Sequence, residues 1–169
     1  MKNYTVLLIL LLSFILTGCP GSDEGEIIEN FEPVTIDLSG LNIQEDDTSF
    51  SKNGYSFTSF HAESVESISS TFQGNSITFD GIALWFSDGQ NPSYIELILD
   101  NTEGISKITA RIYNNGTGTP VVLYNDGNII DEIDAPFKVN DIVFDVTNKT
   151  IDRLRISSFE GAVLSIKLE

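Results

Sequence analysis

Beyond residue 33, apolar and polar residues alternate along the chain with a period of two. The clearest runs lie at residues 34–38, 55–58, 77–86, 95–99, 107–113, 121–124, 142–146, 153–156 and 164–168. Alternation of this kind predicts β-strands that bury one face each. About ten short strands of this type bury their apolar faces by packing in two layers, so the pattern predicts an all-β fold, a two-sheet antiparallel β-sandwich.

Glycine next to an acidic or amide residue separates many of these runs. Such pairs favour turns whose residues adopt positive φ. They occur at Asp80-Gly81, Asp88-Gly89, Asp126-Gly127, Asn114-Asn115-Gly116 and Glu160-Gly161. Only residues 62–70 have helical potential, and their serine and β-branched residues disfavour a long helix.

The amino terminus has the layout of an export signal. Lys2 precedes an apolar stretch, residues 6–16, which is shorter than the roughly 20 residues that span a bilayer. The sequence Leu16-Thr17-Gly18-Cys19 resembles the lipobox of bacterial lipoproteins. The resemblance implies that residues 1–18 are removed and that Cys19 carries acyl chains such as palmitate, since a stable anchor needs two or more chains. An ordinary cleaved signal with a chance cysteine is the alternative.

Residues 19–33 are rich in acidic residues, glycine and proline, and we expect them to form an extended tether to a β-sandwich domain at residues 34–169. An acidic run after the lipidated cysteine resembles the export tag of surface-exposed lipoproteins. Pro20 stands where the best-known inner-membrane retention signal has aspartate. We therefore expect a lipid-anchored protein of the cell envelope, at the outer membrane and exposed on the cell surface. A solubilising linker on a periplasm-facing protein is the alternative.

The chain beyond Cys19 is strongly acidic. It holds all 25 acidic residues and eight of the nine basic ones, a net charge of −17. This charge argues against a nucleic-acid partner, and it leaves the acyl chains rather than electrostatic attraction to hold the protein on the membrane. We predict no cofactor. Calcium is the one ion that the carboxylates suggest, but residues 44–47 lack the spaced ligands of a dedicated calcium loop.

The chain offers little for catalysis. Its only cysteine is expected to be lipidated, and its only histidine, His61, is in phase with Tyr55 and Phe57. A partly buried structural role for His61 is therefore favoured over a catalytic triad, for which no Gly-x-Ser-x-Gly motif is present. A small glycoside hydrolase would need only two facing carboxylates, but a sandwich this small rarely forms a deep cleft. We predict that the protein is not an enzyme.

Trp85 and Tyr94 are out of phase with the apolar residues of their strands. An exposed aromatic plane stacks on the C–H face of a sugar ring, so both are candidate glycan-binding residues, and Tyr113 and Tyr124 could join them. The alternative is a structural role in which loops cover both faces of the strand.

Lys107, Arg111 and Tyr113 are expected on one face of a single strand. In an acidic protein, such a basic patch could bind a carboxylated glycan or an acidic partner through charge-assisted hydrogen bonds. Ordinary surface charge on a sheet is the alternative.

Most of residues 34–169 resembles the galactose-binding-like jelly roll of many carbohydrate-binding modules. The matching segments are ISKITARIY, an Asn/Gly turn, VVLYNDGNIIDEI and the closing pair IDRLRISSFEGAVLSIKLE, together with Tyr55 and Phe57 after Asn53-Gly54. In that fold, the closing pair is expected to form two hairpin-linked strands. The resemblance implies a non-catalytic binding domain whose ligand is a glycan, although immunoglobulin-like sandwiches share much of the pattern. The other class of function is a structural or interaction protein that docks on another envelope protein.

Overall fold

A computed structural model describes residues 31–72, 75–85, 91–116 and 118–169, and in these ranges all regular structure is β-strand. The strands are β1 Val34–Asp37, β2 Ser49–Lys52, β3 Tyr55–Phe60, β4 Ala62–Phe72, β5 Asn75–Trp85, β6 Ser93–Ile98, β7 Lys107–Asn114, β8 Pro120–Asn125, β9 Asn128–Asp134, β10 Lys138–Asp145, β11 Arg153–Ser158 and β12 Glu160–Leu168. None of the described residues belongs to a helix that could cross a membrane.

The strands form two antiparallel sheets of six strands each. Sheet A has the order β10-β7-β12-β5-β4, with β1 also paired to β12, and sheet B has the order β2-β3-β6-β11-β8-β9. Within them, β5-β12-β7-β10 and β6-β11-β8-β9 are the two interlocked four-stranded sheets of an eight-stranded jelly roll. The predicted all-β two-sheet sandwich is therefore confirmed, and its strand order is that of a jelly roll.

The core lies between the two sheets and follows the period-two pattern. On β7, for example, Ile108, Ala110 and Ile112 are fully buried while the residues between them face outward. Phe57 of sheet B and Phe144 of sheet A are the largest fully buried side chains. Removing these apolar surfaces from water is the main favourable contribution to folding, since the described domain contains no cysteine that could form a disulfide.

The expected turn at Asp80-Gly81 is wrong, because both residues lie inside the continuous strand β5. A Cβ atom at Gly81 would collide with the carbonyl oxygen of Val163 on β12, so the glycine permits close approach of two strands. The Asp80 carboxylate accepts a hydrogen bond of 2.9 Å from the backbone N–H of Ser67. Ser67 has a φ of 66° and lies in a β-bulge of β4, so Asp80 stabilises an irregularity in the neighbouring strand.

The closing pair of strands is not a hairpin. Strand β11 lies in sheet B and β12 in sheet A, and Phe159 alone connects them. Glu160-Gly161 begins β12 at this crossing, and a Cβ atom at Gly161 would lie 2.7 Å from the Ser158 hydroxyl oxygen. By contrast, Asp126-Gly127 does form the predicted two-residue turn between β8 and β9, with φ values of 49° and 78°.

The structure also differs from the sequence pattern at several other places. Residues 62–70 belong to strand β4 rather than to a helix, and strand β2 was not predicted. Ile129 continues the apolar pattern in the sequence but is 58% exposed, because β9 is an edge strand with a bulge opposite Leu123 and Tyr124. The predicted signal, the lipidated Cys19, residues 20–30 of the tether and the Asp88-Gly89 turn lie outside the described residues.

Phe31 packs on the domain just before β1. It lies against Gly104, whose φ is 79° and whose added Cβ atom would come within 2.7 Å of the Phe31 Cβ. Gly104 is therefore required twice, by its left-handed backbone and by this contact. The contact fixes the point at which the chain from the tether enters the sandwich.

Candidate functional site

The outer face of sheet B, defined here as the side chains of its strands that point away from the core, combines aromatic, charged and hydroxyl groups. Each row across the sheet is set by the strand register. The rows are Phe60, Tyr94 and Ser157; then Thr58, Glu96, Arg155, Val122 and Glu132; then Ile98, Arg153, Tyr124 and Ile129. These residues alternate with core residues such as Ile95, Leu97, Leu154 and Ile156.

Glu96 is the centre of the polar contacts on this face. Its carboxylate is buried, with 8% of the side chain exposed, although it points away from the core. Nε of Arg155 donates to its Oε1 at 2.8 Å, Nη2 of Arg155 lies 2.8 Å from the same oxygen, and the Thr58 hydroxyl donates to its Oε2 at 2.9 Å. Nη1 of Arg153 lies 3.6 Å from the same Oε1. Charge-assisted hydrogen bonds of this kind are about twice as strong as neutral ones.

Arg155 in turn lies between two tyrosines. Its guanidinium carbon is 4.5 Å from the ring centre of Tyr94 and 5.6 Å from that of Tyr124. The guanidinium carbon of Arg153 also lies 5.4 Å from the ring centre of Tyr124. Tyr94, Arg155 and Tyr124 therefore form a diagonal line across β6, β11 and β8, one residue from each of the three rows, which we call the Tyr–Arg ladder. Cation–π contacts in a partly desolvated setting favour this arrangement.

Tyr94 is flanked on both sides. Its ring stacks on Phe60 with a centroid distance of 5.7 Å and an interplanar angle of 19°. Because β3 and β11 lie on opposite sides of β6, Phe60 and Arg155 approach Tyr94 from opposite directions. The part of Tyr94 that faces a ligand is consequently its outer edge and hydroxyl rather than a bare ring face. Among the described residues, neither the Tyr94 nor the Tyr124 hydroxyl has a hydrogen-bond partner.

The outer face is an open surface rather than a cavity. In the described ranges, a cavity of about 310 Å³ beside Phe31 and Tyr55 reaches this face only at its border, where Ile98 lines it, and two others lie beside His61 and Lys107. An open surface with planar side chains across several strands accommodates an extended polymer better than an enclosed small molecule.

No family model and no curated protein matches the sequence. Solved structures similar to the chain include a family 35 carbohydrate binding module from Clostridium thermocellum, with 18% identity and a TM-score of 0.44 over 82% of this chain and 98% of that one. Another is a family 29 carbohydrate binding module from Piromyces equi, with 10% identity and a TM-score of 0.39 over 82% and 93%. Likeness at this level carries no argument about function, which depends on the side chains of this chain.

The two leading aromatic candidates belong to different sheets. The backbone of Trp85 pairs with Glu160 in sheet A, while Tyr94 lies on sheet B. The side chain of Trp85 lies outside what the structure describes. Tyr94 does face outward as the sequence pattern predicted, and of the two added tyrosines only Tyr124 joins it.

Lys107, Arg111 and Tyr113 do lie on one face of β7, but this is the outer face of sheet A, on the opposite side of the sandwich from Tyr94. Their charges are also partnered. Lys107 lies 2.7 Å from the Glu169 carboxylate, and Arg111 lies 3.8 Å from Asp141. Tyr113 packs on Phe79 at 5.0 Å and donates to Asn115. The five candidate residues thus do not form a single site.

His61 is half-buried, as the sequence predicted, and its Nδ1 lies 3.1 Å from the Glu45 carboxylate. In the nearby loop, the Asp47 carboxylate accepts a hydrogen bond from the backbone N–H of Gln44, which stabilises the turn at residues 44–47. Within the described ranges, no three acidic, histidine or cysteine side chains come together as metal ligands.

Glu96, Arg153 and Arg155 were not selected from the sequence. Their signal was present, because Arg153 and Arg155 alternate with apolar residues in the segment RLRIS and Glu96 interrupts an apolar run. What could not be read from the sequence is that β6, β11 and β8 are neighbours, which places these charges and two tyrosines side by side.

Proposed function

We propose that this chain is a non-catalytic glycan-binding domain that holds its ligand on the outer face of sheet B. The observation that carries the proposal is the Tyr–Arg ladder. Planar side chains present hydroxyl and guanidinium groups to solvent at positions that are already fixed by stacking and by Glu96. Because the ladder is ordered before the ligand arrives, little conformational entropy is lost on binding.

The surroundings of the ladder support a sugar ligand. Phe60 and Ile98 add partly exposed apolar surface for C–H groups, and the partly exposed Thr58 lies in the same row as Arg155. The two ladder rings lie at most about 10 Å apart, since Arg155 contacts both of them. A chain of several sugar units could therefore contact both tyrosines at once, which is the basis of recognition of a polymer.

Affinity electrophoresis in gels that contain soluble polysaccharides tests this proposal. Tyr94→Ala and Tyr124→Ala should each abolish the retardation seen with the wild type. Tyr113→Ala is the matched control, because it removes a tyrosine from sheet A and should leave retardation unchanged. Unchanged retardation of both ladder variants, or its loss in Tyr113→Ala alone, would refute the proposed site.

The proposal includes an anchor at the cell envelope, through lipid on Cys19. The support is the lipobox-like Leu16-Thr17-Gly18-Cys19 and the acidic tether that follows. Metabolic labelling with palmitate should mark the wild type and not Cys19→Ser, which should also leave the membrane fraction. An unlabelled wild-type protein would contradict the anchor without touching the glycan site.

A second candidate function is docking on an envelope protein that carries basic residues around an apolar surface. Among the described residues, the large hydrophobic side chains that are exposed are Ile129 and Ile130 on β9, Val143 on β10, and Phe137 in the segment that connects these two edge strands. Acidic Glu132 and Asp134 accompany them on β9, which is an edge strand of sheet B. A photo-crosslinker at position 129 should capture one constant envelope protein, and replacing both acids by lysine should abolish capture.

A further inference from the structure

We infer that Glu96 makes the outer face of sheet B selective for uncharged glycans, by neutralising the arginines that would otherwise attract acidic ones. The inference rests on the proposed function and names the ligand class of the same site. Its basis is the charge arrangement around one buried carboxylate. Glu96 is a specificity-determining residue in this account, because it acts through Arg155 and is itself covered.

The positive charges of the face are already balanced. Arg155 directs two donors to Glu96 Oε1 at 2.8 Å. Arg153 lies 3.6 Å from that oxygen with Nη1 and 3.3 Å from the Asp152 carboxylate with Nε. Two guanidinium groups are thus matched by two carboxylates, so the ladder offers hydrogen-bond donors without a surplus positive charge.

No other positive charge is available on the face. In the rows described above, Arg153 and Arg155 are the only cations, whereas Glu132 adds a carboxylate at the exposed edge. The whole chain has a net charge of −16. An acidic glycan would lose part of its hydration on this surface with no unpaired cation to compensate, which disfavours it against an uncharged one.

An uncharged glycan fits the remaining groups. Arg155 retains donors that Glu96 does not use, and the Tyr94 and Tyr124 hydroxyls can donate or accept. Sugar hydroxyls both donate and accept, so they satisfy these groups without bringing charge. Removing the charge of Glu96 while keeping its shape should therefore change which class of glycan binds.

The experiment compares wild type with Glu96→Gln on two kinds of probe: soluble neutral polysaccharides (a glucan, a mannan, a xylan and a galactan) and polygalacturonate. Glutamine keeps an oxygen that can accept from Arg155, but it frees one positive charge. The wild type should bind at least one neutral polymer and not polygalacturonate. The variant should gain affinity for polygalacturonate by about tenfold or more, the effect of one added charge-assisted hydrogen bond, and the gain should fall with salt.

Asp141→Asn is the matched control. Asp141 lies on the outer face of sheet A beside Arg111, so its substitution changes the charge of the chain by the same amount at a distant place. It should leave the binding of both probes unchanged. An equal gain in both variants would show that only net charge matters and would overturn the role of Glu96.

Glu132→Gln provides a test that does not depend on the buried carboxylate, since Glu132 is exposed at the edge of the same face. It should raise polygalacturonate affinity by a smaller factor than Glu96→Gln. Preference of the wild type for polygalacturonate over every neutral polymer would refute the inference but keep the proposed site. The inference would also be refuted if a folded Glu96→Gln showed no gain in polygalacturonate affinity. If Glu96→Gln does not fold, the absence of such a gain in Glu132→Gln would refute it instead. Binding to no polysaccharide of either class would refute the proposed function and this inference with it.

Discussion

The guanidinium carbon of Arg155 lies 4.5 Å from the ring centre of Tyr94. Two nitrogens of the same guanidinium, Nε and Nη2, lie 2.8 Å from Glu96 Oε1. One side chain therefore takes part in both a cation–π contact and a buried ion pair. The consequence is a surface whose polar groups are fixed by neighbours on three different strands. This relationship connects the stability of sheet B to its proposed role.

Arg155→Ala should lower the free energy of unfolding by about 1–3 kcal/mol, because it leaves the Glu96 carboxylate buried with a weaker partner. Arg111→Ala is the control, since Arg111 and Asp141 are both more than half exposed and lie 3.8 Å apart. That change should cost less than about 0.5 kcal/mol. Urea denaturation measures both, and equal effects would contradict the special role of the Arg155 pair.

Gly104→Ala should destabilise the fold more than Gly40→Ala. Both glycines have positive φ, 79° and 65°, so an alanine is strained at either position. Only at Gly104 would the new methyl group also meet another residue, Phe31 at 2.7 Å, whereas nothing lies within 4 Å at Gly40. Thermal unfolding of both variants should show the larger loss at Gly104. Phe31→Gly removes the Cβ atom that the new methyl group meets, so Gly104→Ala should cost less in a Phe31→Gly background than in the wild type.

Phe144→Ala should cost about 3–5 kcal/mol, because Phe144 is 1% exposed in the centre of the core. Phe137→Ala removes the same atoms from a site that is 57% exposed and should change stability by less than about 0.5 kcal/mol. Chemical denaturation of the two variants measures the loss of stability in each, and their comparison separates the effect of burial from that of residue type. Similar losses would mean that Phe137 is covered in solution, for example by a partner or a second copy.

Asp37 predicts a dependence on pH. The backbone N–H of Ser39 donates to its carboxylate at 2.9 Å and, with smaller contributions from the Ser39 hydroxyl and Lys52, holds the pKa of Asp37 below its usual 3.8. The unfolded chain therefore takes up this proton at higher pH than the folded one. Ionised Asp37 stabilises the fold above the unfolded pKa, and the contribution is lost as the pH falls through the lower folded pKa.

Asp37→Asn should accordingly destabilise the protein at about pH 6 by less than about 1 kcal/mol, since the group is exposed. The difference between variant and wild type should shrink as the pH approaches 3. Urea midpoints at the two pH values measure it, and a difference that stays constant would contradict the lowered pKa.

The alternation of apolar residues was sufficient to predict the fold class. It assigned the inward residues of β7, β10 and β11 correctly, because burial of one face is a local property of a strand. It failed at Asp80-Gly81, where the glycine serves close strand approach and the aspartate serves a bulge on β4. Both requirements come from neighbouring strands, and these are not visible in a local pattern.

The candidate site was predicted only in part for the same reason. The outward position of Tyr94 is local information, and the sequence showed it. Its partners Phe60 and Arg155 are separated from it by 34 and 61 residues and meet it only through the jelly-roll strand order. The same order separates Tyr94 from Tyr113, which the sequence could not show.

The most direct test of the central claim is NMR of the folded domain titrated with the neutral polysaccharide that retards it most strongly in gels. The Arg155 side-chain Nε–H signal and the ring signals of Tyr94 and Tyr124 should shift together and saturate, while those of Tyr113 and Arg111 stay in place. Shifts confined to sheet A, or saturable binding that leaves the Arg155 and tyrosine signals of sheet B unmoved, would contradict the account.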